Sequence, residues 1–214
     1  AGRWNKSPLC LYNRGEAVFE TSKDNWMAQD DEVIRRVIDG EVEAYRLLVE
    51  RYQRPVLCFV GNMMHDTHAG EDLSQDVFLA AFEKLHTFDA RRSRFSTWLF
   101  RIVVNLCRDQ QRRDQSSQRR LRIVADLPPR AGAVGVEPRG QLERAELGAV
   151  VADAVGDLPD TQREVLVLRH YHQASIAEIA RVLDIPETTA RSRLAKALER
   201  LREALEQTER TKVE

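Results

Sequence analysis

Ser175-Ile176-Ala177-Glu178-Ile179-Ala180-Arg181-Val182-Leu183-Asp184-Ile185-Pro186-Glu187-Thr188-Thr189-Ala190-Arg191-Ser192-Arg193-Leu194 is the stretch on which the reading of this chain turns. Ser175 and Glu178 stand at capping-box spacing, where a hydroxyl and a carboxylate each satisfy a free backbone amide at a helix start. Ile176, Ile179, Ala180 and Leu183 then form one stripe, and Asp184-Ile185-Pro186 turns the chain. A second helix follows from Glu187, with Pro186 tolerated because a first turn needs no amide donor. At about 100° per residue, Ala190, Leu194, Ala197 and Leu201 share its core side. The opposite side presents Thr188, Thr189, Arg191, Ser192, Ala195 and Lys196, small residues, hydroxyls and cations that suit base edges and phosphates. Two short helices joined by a tight turn are the helix-turn-helix plan, whose second helix lies in the major groove. The plainer reading is a solvated coiled-coil helix; the capping box, the turn and the small exposed residues favour DNA.

Upstream, the periodicity is helical throughout. Asp30 or Asp31 caps a short helix through Val33, Val37 and Ile38 that stops at Gly40. From Val42, the spacing of Tyr45, Leu48, Val49, Tyr52, Val56, Phe59, Val60 and Met63 predicts a longer helix, kinked or broken at Pro55. Asp66 or Thr67 caps a third, with Leu73, Val77, Ala80, Ala81 and Leu85 as its stripe. Glu71, Asp72, Gln75 and Asp76 crowd its first half, where acids suit the positive end of the helix dipole. After a basic loop from Thr87 to Arg94, Phe95, Trp98, Leu99, Ile102, Val103 and Leu106 make one side of an amphipathic helix, and Thr97, Arg101, Asn105, Arg108 and Arg112 the other. Residues 1–28 lack an apolar period and read as a tail. Pro128, Pro129 and Pro138 with Gly132, Gly135 and Gly140 make 114–140 a linker. Periodicity returns with Leu142, Leu147, Val150, Val151, Ala154 and Val155, and again after Pro159 with Val165, Leu166 and Leu168. The expected fold is all-α: helical domains at 29–113 and 141–207 joined by a flexible linker, the second containing the helix-turn-helix, with a C-terminal tail at 208–214.

The 33 Lys and Arg and 34 Asp and Glu among 214 residues nearly cancel, but they are segregated. Residues 28–90 hold 6 basic and 13 acidic side chains, and residues 91–122 hold 10 arginines against 2 aspartates. An acidic block beside an arginine block suggests one face for a protein partner and one for a polyanion. The bland alternative is a pair of salt-bridged helices. No window approaches the roughly 18 apolar residues of a bilayer span, and Ala1 to Cys10 show no secretory h-region, so a cytoplasmic chain without membrane insertion is expected. Cys10, Cys58 and Cys107, odd in number and widely spaced, fit a reducing compartment better than a disulfide framework. A metal-dependent hydrolase using His65-Asp66-Thr67-His68 or His170-Tyr171-His172 with Cys58 is disfavoured, because the first pair sits at a helix cap and the second, at i and i+2, points its side chains apart on a helix. No metal, cofactor or enzymatic activity is expected.

The stretch from His172 to Ala180, followed by Ile185 to Leu194 and preceded by Leu158-Pro159-Asp160-Thr161-Gln162-Arg163-Glu164-Val165, resembles region 4 of bacterial extracytoplasmic-function sigma factors. Glu71-Asp72-Leu73-Ser74-Gln75-Asp76-Val77-Phe78 and Phe95 to Asn105 are similar to the family's region 2, although Gly70 stands where the family commonly has alanine. The resemblance covers about residues 28 to 207 and implies a dissociable promoter-specificity subunit. Glu71, Asp72, Gln75 and Asp76 would dock core RNA polymerase. Thr188, Thr189, Arg191, Ser192, Ala195 and Lys196 would read double-stranded promoter DNA at the -35 element. Arg91, Arg92, Arg94, Arg101, Asn105, Arg108 and Arg112 would hold the melted -10 strand, and an anti-sigma factor would restrain the whole. The competing plan, a helix-turn-helix regulator with an N-terminal sensing domain, leaves the acidic helix and the arginine helix without a task.

Overall fold

The computed structural model describes residues 23–64, 67–124, 150–171 and 173–213, and among them no residue is in a strand. The N-terminal unit comprises α1 (Lys23–Ile38), a 3-10 turn at Val42–Ala44, α2 (Tyr45–Met63), α3 (Thr67–Lys84), a 3-10 turn at Leu85–Thr87, and α4 (Phe95–Val124). The C-terminal unit comprises α5 (150–156), α6 (Asp160–Tyr171), α7 (Ile176–Leu183) and α8 (Glu187–Val213). In the first unit α2 packs on α1 and α3, and α3 on α4; in the second, α8 packs on α6 and α7.

Three features differ from what the sequence suggests, each for a physical reason. Helix α1 begins at Lys23, so Asp30 and Asp31 lie inside it and neither is a cap. Asp30 is instead buried, accepting hydrogen bonds from the Tyr52 hydroxyl and the Arg51 guanidinium. Burial pushes its carboxyl above the ordinary value, and those two donors act against the shift. Pro55 neither breaks nor ends α2; it is buried within the helix, where packing outweighs the single ladder bond that proline removes. Helix α4 continues to Val124, so residues 114–124 of the expected linker are helical. Its last turns are rich in Gln and Arg, helix formers that need no apolar stripe. The remainder of the linker, the first 22 residues and Asp66 lie outside the described residues. Gly40, at φ 107°, stops α1 as its position suggests.

Helix α4 also buries more of itself than its stripe implies. Phe95, Leu99 and Val103 are buried, but so are Phe100, Val104, Cys107 and Thr97, the last of which the sequence places on the polar side. Trp98, Ile102 and Leu106 are only partly covered, packed against the same core. The wider arc follows from two sets of neighbours: α4 contacts α2 and α3 within its own unit and α7 of the other. The cores of the two units accordingly run together, from Val56, Phe59 and Leu99 to Val165, Leu168 and Ile179. A second cluster of Val155, Leu158, Leu166 and Ala197 belongs to the C-terminal unit alone. Cys107 is a buried free thiol, pushed up to about 12 by desolvation and by the nearby Glu164 charge.

Gly70 is buried in α3, and a Cβ there would meet Val60 Cγ1 at 3.7 Å, ordinary van der Waals contact. Gly70→Ala should therefore raise stability by about 0.5–1 kcal/mol, the helix-interior difference between the two residues. Denaturant unfolding checks this, and a lowered midpoint would show that the α2–α3 contact has no room for a methyl.

Candidate nucleic-acid interface

The α7–turn–α8 unit is held by short-range bonds that follow from its sequence. Ser175 Oγ accepts from the Glu178 amide at 3.2 Å while Glu178 Oε2 accepts from the Ser175 amide at 2.8 Å, completing the capping box. Asp184 ends α7 in the left-handed region at φ 56°, a conformation that Asp tolerates better than most residues. The Ile185 amide donates back to the Ala180 carbonyl, and the Ala190 amide to that of Pro186, which starts α8. Ala190 and Ala197 are fully buried and Leu194 partly so. Thr188, Arg191, Ser192, Ala195 and Lys196 are exposed, while Thr189 is half-buried at the edge of that face. Behind it, buried Arg163 donates to the carbonyls of Val155, Gly156 and Leu158, fixing the α5–α6 corner.

The second basic element lies in the turn 89–92 and along α4. The Asp89 carboxylate accepts from the Arg91 amide at 2.9 Å, which shapes the turn and leaves Arg91 and Arg92 exposed. Arg94, Arg101 and Arg108 recur at intervals of seven residues and therefore form one row along the helix. Each meets a carboxylate of the other unit: Arg94 reaches Glu178 at 3.2 Å, Arg101 reaches Asp184 at 3.6 Å, and Arg108 grips Glu164 with two bonds of 2.6 and 2.7 Å. The last pair lies deepest, with the Glu164 side chain 3% exposed and that of Arg108 33%. Its hydrogen bond to Glu164 holds the Arg108 guanidinium above its ordinary value. Arg112 turns to Asp109 at 2.6 Å, and Asn105 is exposed beside the row.

A third face lies on α3, where Glu71, Asp72, Gln75 and Asp76 are all exposed, opposite buried Leu73, Val77 and Ala81. Because α3 starts at Thr67, these acids lie past the first turn, where the dipole has little hold on them. The same face carries two large apolar side chains that the charge pattern hides, Leu79 at 63% and Phe82 at 38% exposure. Phe82 is supported edge-on by Tyr45, whose hydroxyl donates to the Phe78 carbonyl. Their signal in the sequence is a position opposite the stripe, where solvent alone gives no reason for a leucine and a phenylalanine. His65, Asp66 and His172 of the disfavoured metal reading lie outside the described residues.

Comparison with known proteins agrees with this division. Residues 48–117 match the family Sigma-70 region 2 and residues 154–203 match Sigma-70 region 4. The ECF RNA polymerase sigma factor SigW of Bacillus subtilis is 30% identical over 180 residues, covering 80% of this chain and 94% of that protein. The ECF RNA polymerase sigma-E factor of Escherichia coli K12 is 33% identical over 176 residues, covering 79% and 91%. Among solved structures, CnrH in complex with the cytosolic domain of CnrY superposes with a TM-score of 0.60 at 26% identity, over 81% of this chain and 95% of that one. The sigma factor RpoE of Bartonella quintana, solved with the anti-sigma factor NepR, shares the fold at a TM-score of 0.61 and 23% identity, over 76% and 96%. With both regions present in order and relatives matched over nearly their whole length, this chain belongs to the ECF sigma factors of RNA polymerase, the proteins that direct transcription initiation.

Proposed function

We propose that the chain docks on core RNA polymerase through the exposed face of α3, reads the -35 duplex with α8, and holds the melted -10 strand with the 89–94 turn and α4. Residues 29–113 would then form the polymerase and -10 unit, 114–140 the linker, and 141–207 the -35 unit. The observation that carries this reading is the pairing of a helix-turn-helix with a second, separate arginine row in one chain. A duplex reader alone needs only the first. On α8, Arg191 and Ser192 have the reach and donors for base edges, and Lys196 suits a phosphate. On α4, the Asn105 amide beside a cation row suits an unpaired base, whose edges only a melted strand offers. On α3, the acids would steer encounter with a basic surface, and Leu79 and Phe82 would supply the apolar burial that holds it. An anti-sigma protein is the partner that would keep such a chain off the polymerase; the Bartonella sigma factor was solved in complex with a protein of that kind, NepR.

The direct test is transcription by core polymerase from a genomic promoter library with and without the chain. Promoter-specific transcripts are expected only with it. Glu71→Lys with Asp72→Lys should weaken association with core in a salt-controlled pull-down, and Leu79→Ser should weaken it without altering its salt dependence. Unchanged affinity in both would take α3 out of docking.

For -35 readout, Arg191→Ala should cost about 1–3 kcal/mol at one base position and relax preference there. Lys196→Ala should weaken all sequences alike and flatten the salt dependence. Equal losses on every sequence for both variants would exclude direct readout by Arg191. For the melted strand, Asn105→Ala should leave duplex binding nearly unaltered but reduce permanganate reactivity of unpaired thymines near the start site. A wild-type footprint in that variant would remove α4 from the open strand.

A further inference from the structure

The three carboxylates facing the arginine row are contributed by three separate places in the C-terminal unit: Glu164 in α6, Glu178 in the first turn of α7, and Asp184 at its end. All three meet the row that runs along one face of α4. The engagement is specific. Glu178 uses one oxygen for the capping box and the other for Arg94, so the residue that starts the helix-turn-helix also pins it to α4. Glu164 saturates the Arg108 fork with both oxygens, the geometry that a guanidinium also uses for a phosphate. Around the pairs the apolar surfaces of the two units are continuous, with α2 lying on α6 and α4 on α7. Units in this contact cannot serve two promoter elements whose positions differ by about 25 base pairs, roughly 85 Å of B-form duplex at 3.4 Å per base pair.

We infer that the isolated chain masks itself: the C-terminal unit docks on α4, and its Glu164, Glu178 and Asp184 occupy the arginines that would otherwise hold DNA backbone. Opening the two units is then a required step before the -10 strand can be held, and anything that separates them activates both interfaces together. This inference rests on the reading of α4 as a strand-binding helix, and the experiment below tells the two apart.

The test uses the full chain in three forms: wild type, the interface variant E164Q/E178Q/D184N, and a control D153N/E199Q/E203Q. The control removes the same charge from exposed positions of the same unit. Gln still completes a capping box and Asn still accepts the left-handed conformation, so local structure is retained. Small-angle scattering reports whether the units part, and fluorescence anisotropy with a labelled random-sequence 20-nucleotide single strand reports the freed cations. The interface variant should expand and bind at least 10-fold more tightly than the control. Its log-affinity against log-salt slope should be steeper by about 2, from three released arginines at about 0.7 each. An extended wild type, an interface variant no larger than the control, or equal affinity gains in both variants would overturn self-masking. Expansion without an affinity gain would instead overturn the strand-binding reading of α4, and self-masking with it. If the triple variant loses its helical circular dichroism, E164Q alone carries the same measurements.

Discussion

The bidentate pair between Arg108 and Glu164 sets what the rest of the molecule can do. A carboxylate with its side chain 3% exposed is tolerable only if its charge is matched and its oxygens are hydrogen-bonded, and Arg108 supplies both. Removing either partner would strand a charge at the seam between the units, whereas the intact pair permits α6 to lie against α2. Such a pair adds little net stability, because desolvation offsets most of its attraction, but it allows few alternative placements of one helix on another. Register is therefore its contribution. Apolar packing between Phe59, Val103 and Val165 is permissive by comparison, since many offsets would bury similar area.

That constraint explains why α4 was only half legible. Its stripe of Phe95, Leu99 and Val103 is visible as a helical period, yet Phe100, Val104 and Thr97 are buried too, because a second unit covers part of the expected solvent side. Periodicity reports one partner surface at a time. The helix-turn-helix was legible almost residue by residue, since its signals are local: a capping box, a proline after the turn, alanines at the core positions. Asp30 shows where local signals mislead. An aspartate just before an apolar run looks the same whether it caps a helix or lies inside one bonded to Tyr52, and only the long-range partner decides. The length of α4 shows the converse. Its last turns, with no apolar period, are helical all the same, because the absence of a stripe speaks of burial and not of helicity.

On α3 the sequence shows the charge but not the grip. Four polar residues in its first half are conspicuous, whereas Leu79 and Phe82 pass as ordinary members of an apolar helix until the wheel places them opposite Val77 and Ala81. Exposed charge gives steering and reversibility; exposed apolar area gives a reason to stay bound. A face that docks reversibly would need both, and α3 carries both between Glu71 and Phe82.

The charge segregation along the chain resolves in the same terms. Salt-bridged helices and a polyanion face look like rival explanations of an arginine block, but the row on α4 serves the first without forfeiting the second. Arg94 and Arg101 have side chains 39% and 54% exposed, and Asp184 is 84% exposed at 3.6 Å from Arg101. Ion pairs that wet contribute about 0–1 kcal/mol and are readily exchanged for another anion. Arg108 is held harder, by two short bonds to a buried carboxylate. Exchange from the carboxylates to a phosphate backbone would thus be easy at the Arg94 and Arg101 positions and resisted at Arg108. A strand could gain a foothold at the exposed end of the row while the contact is still closed, and the deep pair would decide whether the units separate.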